Sequence, residues 1–138
     1  MTIADTLERW HRFAGGGETG ILDEILAEDA VFHSPVVFTP QKGKELTKLY
    51  LMGAFRVFGG GDPESSSFRY TKELQTGPHA VLEFEAEVDG KHVNGVDIIS
   101  FDSEGRICEF RVMVRPLQAI NLLHQKMAAM LSELAPRD

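Results

Sequence analysis

The run Ala80-Val81-Leu82-Glu83-Phe84-Glu85-Ala86-Glu87-Val88-Asp89-Gly90 alternates apolar and acidic side chains until a two-residue turn signal breaks it. Alternation puts Ala80, Leu82, Phe84, Ala86 and Val88 on one face of a strand and Glu83, Glu85 and Glu87 on the other, the pattern of a sheet with one buried face. Asp89-Gly90 has the backbone freedom of a tight hairpin, so residues 91–101 read as the antiparallel partner. A second turn, Asp102-Ser103-Glu104-Gly105, leads to a strand over residues 106–115. Upstream, residues 67–76 read as a further strand, ended by Gly77-Pro78. These four strands make a meander.

Helices flank it. Ile3, Leu7, Trp10 and Phe13 recur at helical spacing over residues 3–14, and Gly15-Gly16-Gly17 stops that helix. Thr19 is placed to cap a second, short helix with Ile21, Leu22, Ile25 and Leu26 on its apolar face. Residues 31–38 are β-branched and aromatic, hence a strand, and Pro35 predicts an edge or a bulge there. A loop with Pro40 and Gly43 opens a third helix over residues 44–58, and a flexible loop follows over residues 59–66. Pro116 opens a last helix with Leu117, Ile120, Leu123, Met127, Leu131 and Leu134 on one face. The order α-α-β-α-β-β-β-β-α is that of an α+β fold, one domain over residues 1–138, without internal repeats.

Composition excludes several functions. Lys+Arg 14 against Asp+Glu 21 gives a net charge of −7, which disfavours a nucleic-acid groove or an anionic membrane surface. The single cysteine, Cys108, forms no intramolecular disulfide or multi-cysteine zinc site and suits a reducing, cytoplasmic compartment. No apolar run reaches the roughly 18–20 residues of a membrane span, and the charged, amphipathic residues 1–12 do not resemble a secretory signal. The two triple-glycine runs lack the strand and the Lys-Ser/Thr of a phosphate loop. The five histidines show no metal-binding spacing, so neither metal nor cofactor is expected. No nucleophile elbow is present. Glu83, Glu85 and Glu87 are expected to form cross-strand ion pairs with Arg111 and Arg115, on a solvated or dimer-facing sheet surface.

Asp97 is the oddity. It sits in Val93-Asn94-Gly95-Val96-Asp97-Ile98-Ile99-Ser100-Phe101, a strand apolar on both faces. A carboxylate among Val, Ile and Phe costs several kcal/mol unless it is protonated, paired or in a wet cavity. It is therefore either a structural acid with a partner or a functional one, and alternation does not say which face it occupies.

Two helices followed by Ala27-Glu28-Asp29-Ala30-Val31-Phe32-His33-Ser34-Pro35-Val36, and later residues 95–107, resemble the SnoaL-like group of the nuclear transport factor 2-like superfamily over essentially the whole chain. The resemblance implies a cone, in which a curved antiparallel sheet wraps helices around a deep, mostly apolar pocket. It also implies a small apolar ligand and a homodimer packed through the sheet. Relatives include ketosteroid isomerase, limonene epoxide hydrolase, polyketide cyclases and non-catalytic binders.

Asp97 falls where the isomerase has its oxyanion-hole aspartate and where the epoxide hydrolase has a catalytic one. The isomerase aspartate is a worked example of a carboxylic acid kept neutral so that it donates a hydrogen bond. Trp10 falls at the oxyanion-hole tyrosine, and its indole N–H donates without titrating. Ser34 falls at the general-base aspartate, and serine is no base at neutral pH. Gly95 and Val112 stand where the epoxide hydrolase needs Arg and a second Asp, so neither catalytic set is complete.

His33 is the candidate replacement base, with an ordinary pKa near 6.5, provided that it and not Ser34 points inward. Tyr50, Phe55, Tyr70, Phe84 and Val112 are candidate ligand contacts as well as core residues. Two readings result: an enzyme catalysing cofactor-free isomerisation, cyclisation or hydration through Asp97 and His33, or a ligand-binding or homodimeric interaction module without turnover.

Overall fold

The structure is a computed structural model that describes residues 1–59 and 67–134, so the loop expected over residues 59–66 lies outside the described residues except for Gly59. Thr2 and Asp5 open helix α1 (Ile3–Gly16) with a reciprocal cap, each backbone N–H donating to the other's side chain at 3.0–3.1 Å. Two of the three glycines expected to stop the helix are still helical. It ends at Gly17, whose φ of 74° lets its N–H turn back to Phe13 O at 2.7 Å. Helix α2 (Thr19–Ile25) starts one residue earlier than expected, because Glu18 and not Thr19 is its N-cap, without a side-chain bond.

Strand β1 (Leu26–His33) corrects the expectation of a strand over 31–38. Its start draws Leu26 out of the helix, and it stops before Pro35, where Ser34 Oγ accepts the N–H of Val36 at 3.1 Å. The short strand β2 (Gln41–Lys42), read in the sequence as loop, pairs antiparallel with Val31 and Phe32. Helix α3 (Lys44–Val57) follows. The meander β3 (Arg69–Thr76), β4 (His79–Val88), β5 (Lys91–Phe101) and β6 (Ile107–Arg115) then leads to helix α4 (Leu117–Leu134), within two residues of the expected bounds.

The six strands form one sheet in the order β2-β1-β6-β5-β4-β3. The expected all-antiparallel sheet is corrected at one pair: β1 runs parallel to β6. The chain between them is long enough for the crossover a parallel pair requires. Fold class is as read from the sequence, an α+β cone. Ala80, Leu82, Phe84, Ala86 and Val88 of β4 face inward, as do Val93, Gly95, Asp97, Ile99 and Phe101 of β5. They pack in two clusters, one around Trp10, Phe13, Leu22, Phe32 and Phe110, the other around Val57, Phe84, Val93 and Leu123. Among the described residues no helix is long and apolar enough to cross a membrane.

The outer face departs from the expected ion pairs because β5 lies between β4 and β6. Asn94 spans the gap, donating to Glu83 Oε2 at 3.1 Å and accepting from Arg115 Nε at 2.8 Å. Glu85 meets Arg69 at 3.5 Å, and Arg111 meets Glu109 at 3.8 Å.

The β4–β5 hairpin turns through Asp89 (φ 50°) and Gly90 (φ 77°), two left-handed residues that match the twist of the strands. Gly90→Ala is expected to lower stability by about 1 kcal/mol through backbone strain alone, since nothing lies within 4 Å of the added carbon. Urea unfolding checks it, and an unchanged midpoint would refute it.

Candidate functional site

The inward register of β5 answers the question that alternation left open. Asp97 faces the core with 5% of its surface exposed, between its cross-strand partners Leu82 and Val112. It lines the wall of a cavity of about 80 Å³. Of the nine phenylalanines in the chain, seven line this cavity: Phe13, Phe32, Phe55, Phe58, Phe68, Phe84 and Phe110. The polar side chains among the lining residues are Trp10, Tyr70 and Asp97.

These three form a chain of hydrogen bonds. Trp10 Nε1 donates to Tyr70 Oη at 2.9 Å, and Tyr70 Oη donates to Asp97 Oδ2 at 2.5 Å. Trp10 is fixed by ring contacts with Phe13 and Phe110, at centroid distances of 5.4 and 4.8 Å. On the outer side of Tyr70, the His11 ring meets the tyrosine edge-on at 5.3 Å and its Nε2 lies 2.5 Å from Glu73 Oε1.

Gly95 makes room for this arrangement. A Cβ there would lie 2.5 Å from Phe84 Cζ and 2.7 Å from Met113 O, so the phenylalanine ring occupies the space that a side chain would need. Where an epoxide-hydrolase set would require Arg, the position is sterically closed.

Burial dominates the electrostatics. Removal from water pushes the Asp97 carboxyl up to about 7, against a smaller lowering from the Tyr70 hydrogen bond. Burial, followed by the Asp97 charge, drives the Tyr70 phenol well above its usual value. Near neutral pH Asp97 is thus poised between its two forms, and only Oδ2 has a hydrogen-bond partner among the described residues.

The other expected site residues divide. Phe55, Tyr70, Phe84 and Val112 line the cavity with Asp97. Trp10 does as well, but its N–H is committed to Tyr70, so the oxyanion donor inferred for it is already in use. Ser34 borders a neighbouring apolar chamber, not the one that holds Asp97. Tyr50 stacks on Phe32 at 5.1 Å in the core and lines neither chamber.

His33 is the main correction to placement. Phe32 points into the cavity, so the pleat turns His33 to the opposite face, where Nε2 lies 3.4 Å from Glu109 Oε2 beside an outer groove. It is not among the residues that line the cavity with Asp97.

The role of Tyr70 as bridge was not visible in sequence, because its partners lie 60 and 27 residues away on other elements. Among the described residues, no group of three His, Cys, Asp or Glu side chains comes together to hold a metal.

No family model and no curated protein matches the chain. Solved structures do. A steroid delta-isomerase from Pseudomonas aeruginosa is 34% identical over 95% of this chain and 92% of its own, with a TM-score of 0.86. An uncharacterized bacterial protein with a cystatin-like fold from Silicibacter pomeroyi is 28% identical over 94% of this chain and 87% of its own, with a TM-score of 0.84. A nuclear transport factor 2-like protein from Burkholderia xenovorans shares the fold at 18% identity, covering 89% of this chain and 91% of its own, with a TM-score of 0.63. With the cone and the buried aspartate in place, the chain belongs to the nuclear transport factor 2-like superfamily, in its SnoaL-like group.

Proposed function

We propose that the chain binds a small apolar molecule with one carbonyl-type oxygen at Asp97, and that Asp97 serves cofactor-free acid/base chemistry on it. The observation that carries this reading is a carboxyl in an aromatic cavity with one oxygen held by Tyr70 and the other unpartnered among the described residues. In its neutral form Asp97 donates a hydrogen bond to the ligand oxygen and draws electron density from the adjacent carbon. The same group, near its midpoint at neutral pH, suits proton transfer in isomerisation. The Pseudomonas aeruginosa relative, itself a steroid delta-isomerase, supports that class of reaction.

A binder without turnover is the second reading. It is favoured by the absence of a second carboxylate or histidine among the lining residues. The homodimer belongs to the same proposal, with Leu74 and Met113, 59% and 52% exposed on the outer sheet face, as its contact surface. Sedimentation at two concentrations tests that part.

A ligand oxygen that accepts from Asp97 requires the protonated carboxyl. Binding of 2-butanone, a ketone small enough for a cavity of about 80 Å³, followed by calorimetry, is expected to weaken about tenfold per pH unit above 7, roughly 30-fold from pH 5.5 to 8.5. In Asp97→Asn this dependence should vanish. Equal affinity of the wild type at both pH values would end the proposal.

A further inference from the structure

Strand β3 is the last strand of its sheet, and its pairing with β4 breaks once, between Tyr70 and Lys72. Tyr70 lies opposite Phe84 and Lys72 opposite Glu83, so β3 carries one extra residue, Thr71, over a single step of β4. Beyond this bulge Glu73 lies opposite Leu82. Phe84 and Leu82 both face the core, so Tyr70 and Glu73 share the inner face although they are three residues apart. In an unbroken strand that odd spacing would send them to opposite faces.

The shared face brings Glu73 to helix α1. His11 Nε2 donates to Glu73 Oε1 at 2.5 Å, and the His11 ring meets the Tyr70 ring edge-on at 5.3 Å. Trp10, the preceding residue of α1, holds the Tyr70 hydroxyl at 2.9 Å. Consecutive residues of one helix thus grip the tyrosine at its ring and at its oxygen. Strand β3 itself offers that ring little support, because its side chains from Thr71 to Thr76 are exposed and it has a neighbouring strand on one side only. Position matters here, since the 2.5 Å bond from Tyr70 to Asp97 weakens steeply once its angle opens.

We propose that His11 and Glu73 are positioning residues, a brace outside the cavity that holds the Tyr70 ring so that its hydroxyl stays on Asp97. The inference rests on the reading of Asp97 as the acid/base group and extends the site to two side chains that do not line the cavity. Burial raises the Asp97 carboxyl and the Tyr70 hydrogen bond lowers it, so a change at residue 11 or 73 reaches it through Tyr70. Loosening the brace weakens the lowering bond and lets the carboxyl midpoint rise.

NMR titration of the Asp97 carboxyl in the ligand-free chain tests it. His11→Ala and Glu73→Ala are each expected to raise the midpoint by about half a pH unit, and the double variant by no more than either single one, because the two act as a unit. Glu73→Gln keeps an oxygen that accepts from His11 and should titrate like wild type. The two side chains are 40% and 42% exposed, so alanine at either leaves the buried core in place. With 2-butanone, the loss of affinity from pH 5.5 to 8.5 should shrink from roughly 30-fold in wild type to roughly 10-fold in His11→Ala. A pair that serves packing alone lowers stability and leaves the midpoint where it was. An unchanged midpoint in both alanine variants overturns the brace, as does a lowered one, which would mean that water reaches the carboxyl. A rise in Glu73→Gln equal to that in Glu73→Ala also overturns it, by assigning the effect to charge. If the midpoints stay fixed while 2-butanone binds with its pH dependence intact, the brace alone falls. If they move as expected while 2-butanone does not bind at pH 5.5, the brace stands and the ketone-binding proposal falls.

Discussion

At pH 8, Asp97→Asn should be more stable than the wild-type chain, by about 4 kcal/mol. The carboxyl titrates near 7 in the folded state and near 3.8 in the unfolded chain, so the two states bind protons differently between those values. Below pH 4 both hold the proton and the site adds no pH dependence. From 4 to 7 the unfolded chain has released a proton that the folded one retains, so stability falls as pH rises. Above 7 both are ionised and the folded state bears the full cost of a charge in an aromatic cavity, at about 1.4 kcal/mol for each unit between the two values. Asn has no charge to bury, and its carbonyl oxygen still accepts from Tyr70. The gap between variant and wild type should therefore open from near zero at pH 4 to its maximum at pH 8. Urea unfolding at pH 4.5, 6 and 8 reads it directly, and a gap that stays constant with pH would mean that Asp97 does not titrate near 7. A group that destabilises the fold at working pH is the mark of a site retained for function rather than for structure.

The sequence showed the oddity of Asp97 but not its orientation, and the reason is physical. Strand β5 has Val96 and Ile98 on one face and Val93, Ile99 and Phe101 on the other, so period-2 alternation carries no sign. What fixes the sign is pairing: Leu82 lies opposite Asp97, and the glutamates of β4 leave its apolar set only one face to bury. The β4–β5 hairpin was legible because alternation, turn residues and strand length all agreed there. Residues 26–38 were not, because apolar Leu26 and Ala27 suit the end of a helix as well as the start of a strand, and tertiary pairing with β6 settled the matter. His33 shows the same limit at a single residue, where a register of one decided between cavity and outer face. The Trp10–Tyr70–Asp97 chain was beyond sequence reasoning altogether, since three elements must be folded before its members meet.

That chain gives the second large effect. Tyr70→Phe removes one oxygen that serves two buried partners, so Trp10 Nε1 loses its acceptor and Asp97 Oδ2 its donor. Each orphaned group costs about 1–3 kcal/mol, and the variant should lose about 3 kcal/mol at pH 5, where Asp97 is neutral in the folded state. A second consequence distinguishes a positioning role from simple packing. The Tyr70 hydrogen bond lowers the Asp97 value against the larger effect of burial, so its removal should move the carboxyl midpoint above 7. Ketone binding would then persist to higher pH than in wild type, even as the folded state weakens. Packing loss alone lowers stability without moving that midpoint. NMR titration of the Asp97 carboxyl in wild type and Tyr70→Phe separates the two, with Trp10→Phe as the control that leaves the Tyr70–Asp97 bond in place. A midpoint unchanged or lowered in Tyr70→Phe would show that the 2.5 Å contact does not set the acidity of the site. Tyr70 would then be only a filler of the aromatic wall.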